Sequence, residues 1–474
     1  RPVERDLDCS ERNRQRAGED RERSCEEVPR EESSVIRERN RLAGPIGTAP
    51  SILWYLFRMI GSRFFRWFAL VFAGFALAGL PPGAQSAKAG LPPGARSAQA
   101  GAPPVSAAGS SSQETIRVGI LAPLSGPFAS GGSSFLQAAT LAVERANEEG
   151  GILGRRVEMV VADSQGRVEI AKSEALRLIS REKVFAIVGA YLSEETVGAI
   201  EAAVAAKKIL VVPVAATAEI TDGVRRDYSR YRYVFRVSYS IPQWAAMVAE
   251  FLRDRQAKTY AFVGAGIRWN RELAEALKQN LAGSGILPVY EAFYSPRNPA
   301  FEPVAVAAAV SAPDLLVLGD PGKNSVVFVK RFRETGNAVP ILSVGGSLGD
   351  ARVATSLPLS APLFVQAAAW KGTSEAATRY ADAFEKRFGY PPVGYSDTLP
   401  YDAVTVLLSG IREAGKTDTD AVISALEKGA FQGVAGRYRF DASHQAAWDP
   451  RSPDLHGTVI QWGKNGARIV FPRR

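Results

Sequence analysis

The sequence predicts an α/β fold of two doubly wound lobes, and three observations carry that expectation. Short aliphatic or β-branched runs alternate with amphipathic stretches of about fifteen residues. This alternation runs as far as Val212 and restarts after Arg236. The segment left over is too short for a third lobe, so it is expected to return and complete the first two.

The first series opens with Ile116 to Leu121, followed by a helix from Phe135 to Asn147 whose apolar residues recur at helical spacing before Gly150-Gly151 stops it. A run at Val157 to Val161 precedes a helix at Val168 to Arg181, and Val184 to Val188 precedes a helix at Ser193 to Lys208. Ile209 to Val212 closes the set. Strands separated by crossover helices pair in parallel and need helices on both faces. The second series follows Tyr233 to Arg236. Helices are predicted at Gln243 to Arg253, Asn270 to Leu281, Glu302 to Val310 and Asn324 to Thr335. Between them fall strands at Thr259 to Val263, Pro288 to Phe293, Leu315 to Leu318 and Pro340 to Val344. The remainder offers helices at Ala376 to Phe388, Tyr401 to Ala414 and Asp420 to Lys428, then short strands at Arg437 to Phe440, Thr458 to Trp462 and Arg468 to Phe471.

Composition removes several function classes. At 474 residues, 46% hydrophobic and 23% charged, the chain has enough apolar material for more than one ordinary domain, which excludes a small disulfide-stapled protein. The net charge of +9 is dispersed along the chain rather than gathered on one foldable face, so nucleic acid is not an expected partner. Both cysteines, Cys9 and Cys25, lie in an Arg/Glu-rich head, which leaves the rest without a disulfide, a thiol nucleophile or a thiolate metal site. With His444 and His456 as its two histidines, the chain has little material for a histidine metal centre or triad. No cofactor is expected.

Residues 1–58 form a charged head expected to be disordered, because such a composition buries too little area to offset chain ordering. From Met59, a basic start and the apolar run Trp67 to Leu80 read as a signal peptide over 59–89, with small-x-small sites at Ala87-Lys88-Ala89 and Ala98-Gln99-Ala100. An uncleaved membrane anchor is the alternative, against which Arg58, Arg63 and Arg66 interrupt any full span. Residues 90–113 are a Pro/Gly/Ala-rich linker, and the repeat GLPPGAQSAKA, GLPPGARSAQA runs into it.

In open parallel sheets, ligands bind beyond the carboxyl ends of the strands, where helix N-termini present free N–H groups. That rule selects Gly189 to Thr196, which puts Ser193 at a helix start suited to holding a carboxylate; an ordinary cap is the competing reading. It also selects Pro213 to Thr217, a loop of small residues that lets a ligand approach the backbone, with a simple turn as the alternative.

Taken in order, IRVGILAPLSGP (116–127), NEEGGILG (147–154), Ile187-Val188-Gly189 with Ser193, PVAAT (213–217), Phe235-Arg236, Tyr401 to Val404, Phe431-Gln432-Gly433 and Arg439-Phe440-Asp441 resemble the type I periplasmic binding proteins of the leucine/isoleucine/valine-binding kind. The resemblance implies a clamshell with three crossings between lobes, the first lobe at 114–236 with 368–455 and the second at 237–367 with 456–474. It implies a periplasmic, non-enzymatic protein that carries a branched-chain amino acid or related small carboxylate to an ABC permease. By residue, Ser193 and Thr217 match hydroxyls that hold the ligand's head group, Ala215 and Ala216 match the backbone beside it, and Trp269 matches an aromatic that covers the ligand. Two departures stand out. Gly131 falls where an aromatic is usual, and Gly346 where an acid pairs with the ligand's ammonium group, leaving Asp320 as the candidate substitute. An acid without an amine therefore competes with an amino acid as ligand, since burying an unpaired ammonium is costly.

Two further readings stay open. The same clamshell serves a ligand sensor. A nucleotide-dependent oxidoreductase is suggested by Gly264-Ala265-Gly266 and Glu291, but Trp269 stands where the third glycine of that motif belongs.

Overall fold

The computed structural model describes residues 115–319 and 322–472. The charged head, the expected leader and the linker lie outside the described residues, as does Asp320.

The first sheet contains β1 (Ile116–Ala122), β2 (Val157–Asp163), β3 (Ala186–Gly189), β4 (Ile209–Val212) and β5 (Val234–Arg236), parallel throughout in the order β2-β1-β3-β4-β5. Its helices are α1 (Ala129–Glu148), α2 (Val168–Ser180), α3 (Ser193–Ala205) and α4 (Glu219–Arg226). Strand residues alternate between faces, so almost unbroken aliphatic runs supply two cores at once. Val118, Ile120 and Val211 pack with Phe135 and Ala138 of α1, while Leu121, Ile187 and Leu210 pack with Leu178 of α2 and Ala199 of α3.

The second sheet begins after α5 (Ile241–Asp254). It comprises β6 (Thr259–Ala265), β7 (Leu287–Tyr294), β8 (Leu315–Gly319), β9 (Ile341–Val344) and β10 (Leu363–Ala367), interleaved with α6 (Arg268–Leu281), α7 (Phe301–Val310) and α8 (Asn324–Glu334). The chain then leaves this sheet. Helices α9 (Glu375–Phe388) and α10 (Thr398–Ala414) pack on α1 of the first sheet, followed by α11 (Thr419–Lys428) and the small hairpin β11 (Phe431–Gln432) and β12 (Arg437–Tyr438). Finally β13 (Thr458–Gly463) and β14 (Gly466–Phe471) return to the second sheet, whose order is β14-β13-β10-β9-β8-β6-β7. β13 and β14 are antiparallel to their neighbours and the other pairs parallel. The chain thus passes between the sheets three times, near 237–240, 368–370 and 446–457.

Several elements differ from the expectation, which closed the first set at Val212: β5 joins the first sheet, and α4 was not foreseen. β10 was not anticipated: only a 3-10 turn at Ser347–Gly349 and a single helical turn at Ala351–Ala354 precede it, too short to give the alternation that marks the other strands. Helix α1 starts at Ala129 rather than Phe135, and takes in Gly131 and Gly132, poor helix formers. Neighbouring atoms explain them. A Cβ on Gly131 would lie 2.3 Å from the Tyr191 hydroxyl, and one on Gly132 would lie 2.0 Å from the Pro123 carbonyl oxygen. Among the described residues, no helix is long and apolar enough to cross a membrane.

Candidate functional site

The carboxyl ends of β3 and β4 face the start of α6 across a narrow cleft that opens to solvent. On the first-sheet side it is lined by Tyr191, Leu192, Ser193 and the loop Val214-Ala215-Ala216. Ile267 and Trp269 line it at the start of α6, Gly345 after β9, and Tyr395 just before α10.

Glu195 builds the Ser193 corner. Its Oε1 accepts the Tyr191 and Leu192 amides at 2.9 and 2.8 Å, which fixes the turn into α3 although burial raises the pKa of this carboxyl. Ser193 is thereby held at a helix start, 2% exposed, where free N–H groups and the positive end of the helix dipole favour an anion. Its Oγ accepts the Ala216 and Thr217 amides at 3.4 and 3.3 Å, long bonds that leave both amides able to turn to a better acceptor. Ser238 Oγ donates to the Ala215 carbonyl at 3.0 Å and steadies the same loop. Opposite, Trp269 stands edge-on to Trp244, ring centroids 5.5 Å apart.

Ser193, Ala215, Ala216 and Trp269 therefore share one cleft. Thr217 does not line it: its hydroxyl donates to Glu272 of α6 at 3.0 Å, so the expected hydroxyl contact to a ligand is taken by another element. Six lining residues were not expected as site residues: Leu192, Val214 and Ile267, whose neighbours were selected, and Tyr191, Gly345 and Tyr395. Tyr191 lay inside the selected loop but is not a charged or capping residue, whereas Tyr395 and Gly345 are brought in from distant segments and carried no local signal. Tyr395 donates to the Val214 carbonyl at 3.3 Å, and burial pushes its phenol pKa far up.

Both departures have structural causes. Tyr191 fills the space that a side chain at Gly131 would take. Gly346 has φ 87°, a left-handed conformation that favours glycine, and a Cβ there would lie 3.0 Å from the Tyr395 Cβ. Among the described residues, no acidic side chain lines the cleft. A second gap of about 810 Å³ borders this region between Ser130, Gly131 and Ser133 of α1 and Lys323, Gly346 and Ser347 on the opposite side.

One rim is tied across. The Arg268 amide donates to Glu194 Oε1 at 2.7 Å, and its guanidinium meets Glu219 at 2.8 Å and Glu272 at 2.5 Å. Glu291, the acid a dinucleotide site would need, instead pairs with Lys278 at 3.1 Å.

One parallel and one mainly parallel sheet, three connecting passages and a small cleft between strand ends define a two-part α/β binding protein. The comparisons agree: the periplasmic binding protein model matches residues 115–452, and the chain belongs to that family. It is 23% identical over 366 residues to the leucine-, isoleucine-, valine-, threonine-, and alanine-binding protein of Pseudomonas aeruginosa, covering 76% of this chain and 94% of that one. It is 28% identical over 320 residues to the chemotactic signal transduction system substrate-binding protein BasB of Halobacterium salinarum, covering 66% and 74%. Its fold matches that of an ABC-transporter solute-binding protein from R. palustris in complex with benzoate, with a TM-score of 0.66 at 19% identity over 75% of this chain and 96% of that one.

Proposed function

We propose that this protein is an exported solute-binding protein that captures a small organic acid lacking an α-amine and presents it to an ABC permease, without covalent chemistry. The carrying observation is a cleft with an anion-favouring corner at Ser193 and, among the described residues, no acidic lining residue to receive an ammonium group; Asp320 lies outside those residues. The Pseudomonas aeruginosa relative is named for binding amino acids and the R. palustris protein was solved in complex with benzoate, so the ligand choice rests on this chain's own cleft. In this reading the leader at 59–89 directs export. Residues 114–236 with 368–455 form one lobe and 237–367 with 456–474 the other, and Ser193, Ala215, Ala216 and Trp269 contact ligand, with Thr217 supporting from behind. Micromolar affinity needs about 8 kcal/mol, within reach of one charge-assisted head-group cluster and an apolar body after lobe closure.

A thermal-shift comparison of leucine, its deaminated isostere 4-methylpentanoate and benzoate tests this. The acids are expected to raise the melting temperature and leucine to leave it nearly unchanged; the reverse order would reject the reading. A sensor role is the second reading, favoured by the chemotactic relative. Ligand-dependent stimulation of a permease ATPase in vesicles distinguishes the two.

A further inference from the structure

Arg236, the last residue of β5, is 1% exposed, and its guanidinium has no carboxylate within 4.0 Å among the described residues. Its partners are neutral. Nε donates to Gln445 Oε1, Nη1 to the Thr217 carbonyl at 2.6 Å and Nη2 to Thr221 Oγ1 at 3.0 Å. Asp222, Asp441 and Glu272 act on it only from beyond contact, and burial lowers its pKa to about 9, so it is still a cation at neutral pH. A buried charge normally has an ionic partner, because dipoles repay only part of its lost hydration. Here that partner is missing, directly behind the loop whose Ala216 and Thr217 amides face Ser193.

We propose that Arg236 is the buried counter-charge of the ligand: a positioning residue that holds the 215–217 loop through the Thr217 carbonyl and makes the cleft select an anion over its neutral isostere. This rests on the reading that the cleft takes a carboxylate. The ligand does not touch Arg236; the two charges lie on opposite sides of one loop, in a low-dielectric interior where attraction over one intervening residue is strong. The same guanidinium ties the loop to a passage between the sheets, because Gln445 also donates to the Ser238 carbonyl at 2.8 Å and to Gln243 Oε1 at 3.0 Å.

The test measures the affinities of two matched pairs, benzoate with benzamide and 4-methylpentanoate with its amide, by calorimetry on the full chain and its variants. The wild type is expected to prefer each acid. In Arg236→Gln, which removes the charge and keeps a donor, the acid should weaken about tenfold or more while the amide changes little. Arg236→Lys should restore the preference, and Gln445→Ala, which keeps the charge, should leave it in place. An unaltered acid-to-amide ratio in a folded Arg236→Gln overturns the proposal. Should that variant fail to fold by circular dichroism, Arg236→Lys decides: a retained preference supports the proposal and a lost one overturns it. If the wild type binds neither acid, the carboxylate reading itself fails.

Discussion

Gly131 has no side chain because Tyr191 already occupies the volume one would fill, an exchange between two residues sixty positions apart. Gly131→Ala should therefore push Tyr191 out of the cleft, lowering ligand affinity and stability together. Adding Tyr191→Leu should recover most of the stability but not the affinity, as read by melting temperature and calorimetry. Ser193→Ala is expected to weaken acid binding about tenfold with little change in melting temperature, since the Glu195 carboxylate and not the serine hydroxyl fixes the turn. Ser193 was legible in the sequence because a hydroxyl at a strand-to-helix junction has a local signature. Tyr395 was not, because its place in the cleft comes from a passage that begins after β10, a strand the pattern had not revealed. Thr217 was singled out in the sequence, but nothing local announces that its hydroxyl donates to Glu272.

Helices α3, α4 and α6 converge on one rim, where Arg268 is both the first residue of α6 and the centre of three acidic contacts. The guanidinium is more than a third exposed, so each pair is screened and worth little by itself. Arg268→Gln is expected to reduce affinity two- to fivefold, chiefly by faster release. It should also flatten the dependence of affinity on ionic strength, and stopped-flow dissociation at low and high salt measures both. The rim escapes sequence reading altogether, because Glu194, Glu219 and Arg268 are ordinary helix-start residues until the sheets are set face to face. The strands and helices themselves were visible in the alternation of aliphatic runs and amphipathic stretches. Their starts shifted where backbone contact overrode propensity, as the early turn of α1 at Gly131 and Gly132 shows.

Across the whole molecule, the segment that closes the fold carries two buried acids. Asp397 accepts the Gly394 amide at 3.0 Å and the Thr398 amide at 2.6 Å, and Asp402 accepts the Val434 and Ala435 amides at 2.6 and 2.9 Å. Burial outweighs these bonds and raises both carboxyls to about 6 from an ordinary 3.8. Between roughly pH 4 and 6 the folded state therefore holds more protons than the unfolded chain, so these groups make stability fall as pH rises through that window. Each is worth about 3 kcal/mol over the full change. The melting temperature should be higher near pH 5.5 than at pH 8, and Asp402→Asn should flatten that difference; a melting temperature that rises from pH 5.5 to 8 contradicts the assignment. Length alone led to the expectation that the C-terminal remainder completes the two lobes rather than forming a third, since it lacks the strands to make a layer of its own.

Arg268 draws one edge of the cleft together and an open gap lies beside the other, so solute traffic is expected to be one-sided. Solute is expected to enter and leave past Ser133 and Ser347, as through a door hung on a single jamb. A bulky label attached at position 347 should slow exchange in both directions, and the same label at 219 should unfasten the door and speed escape.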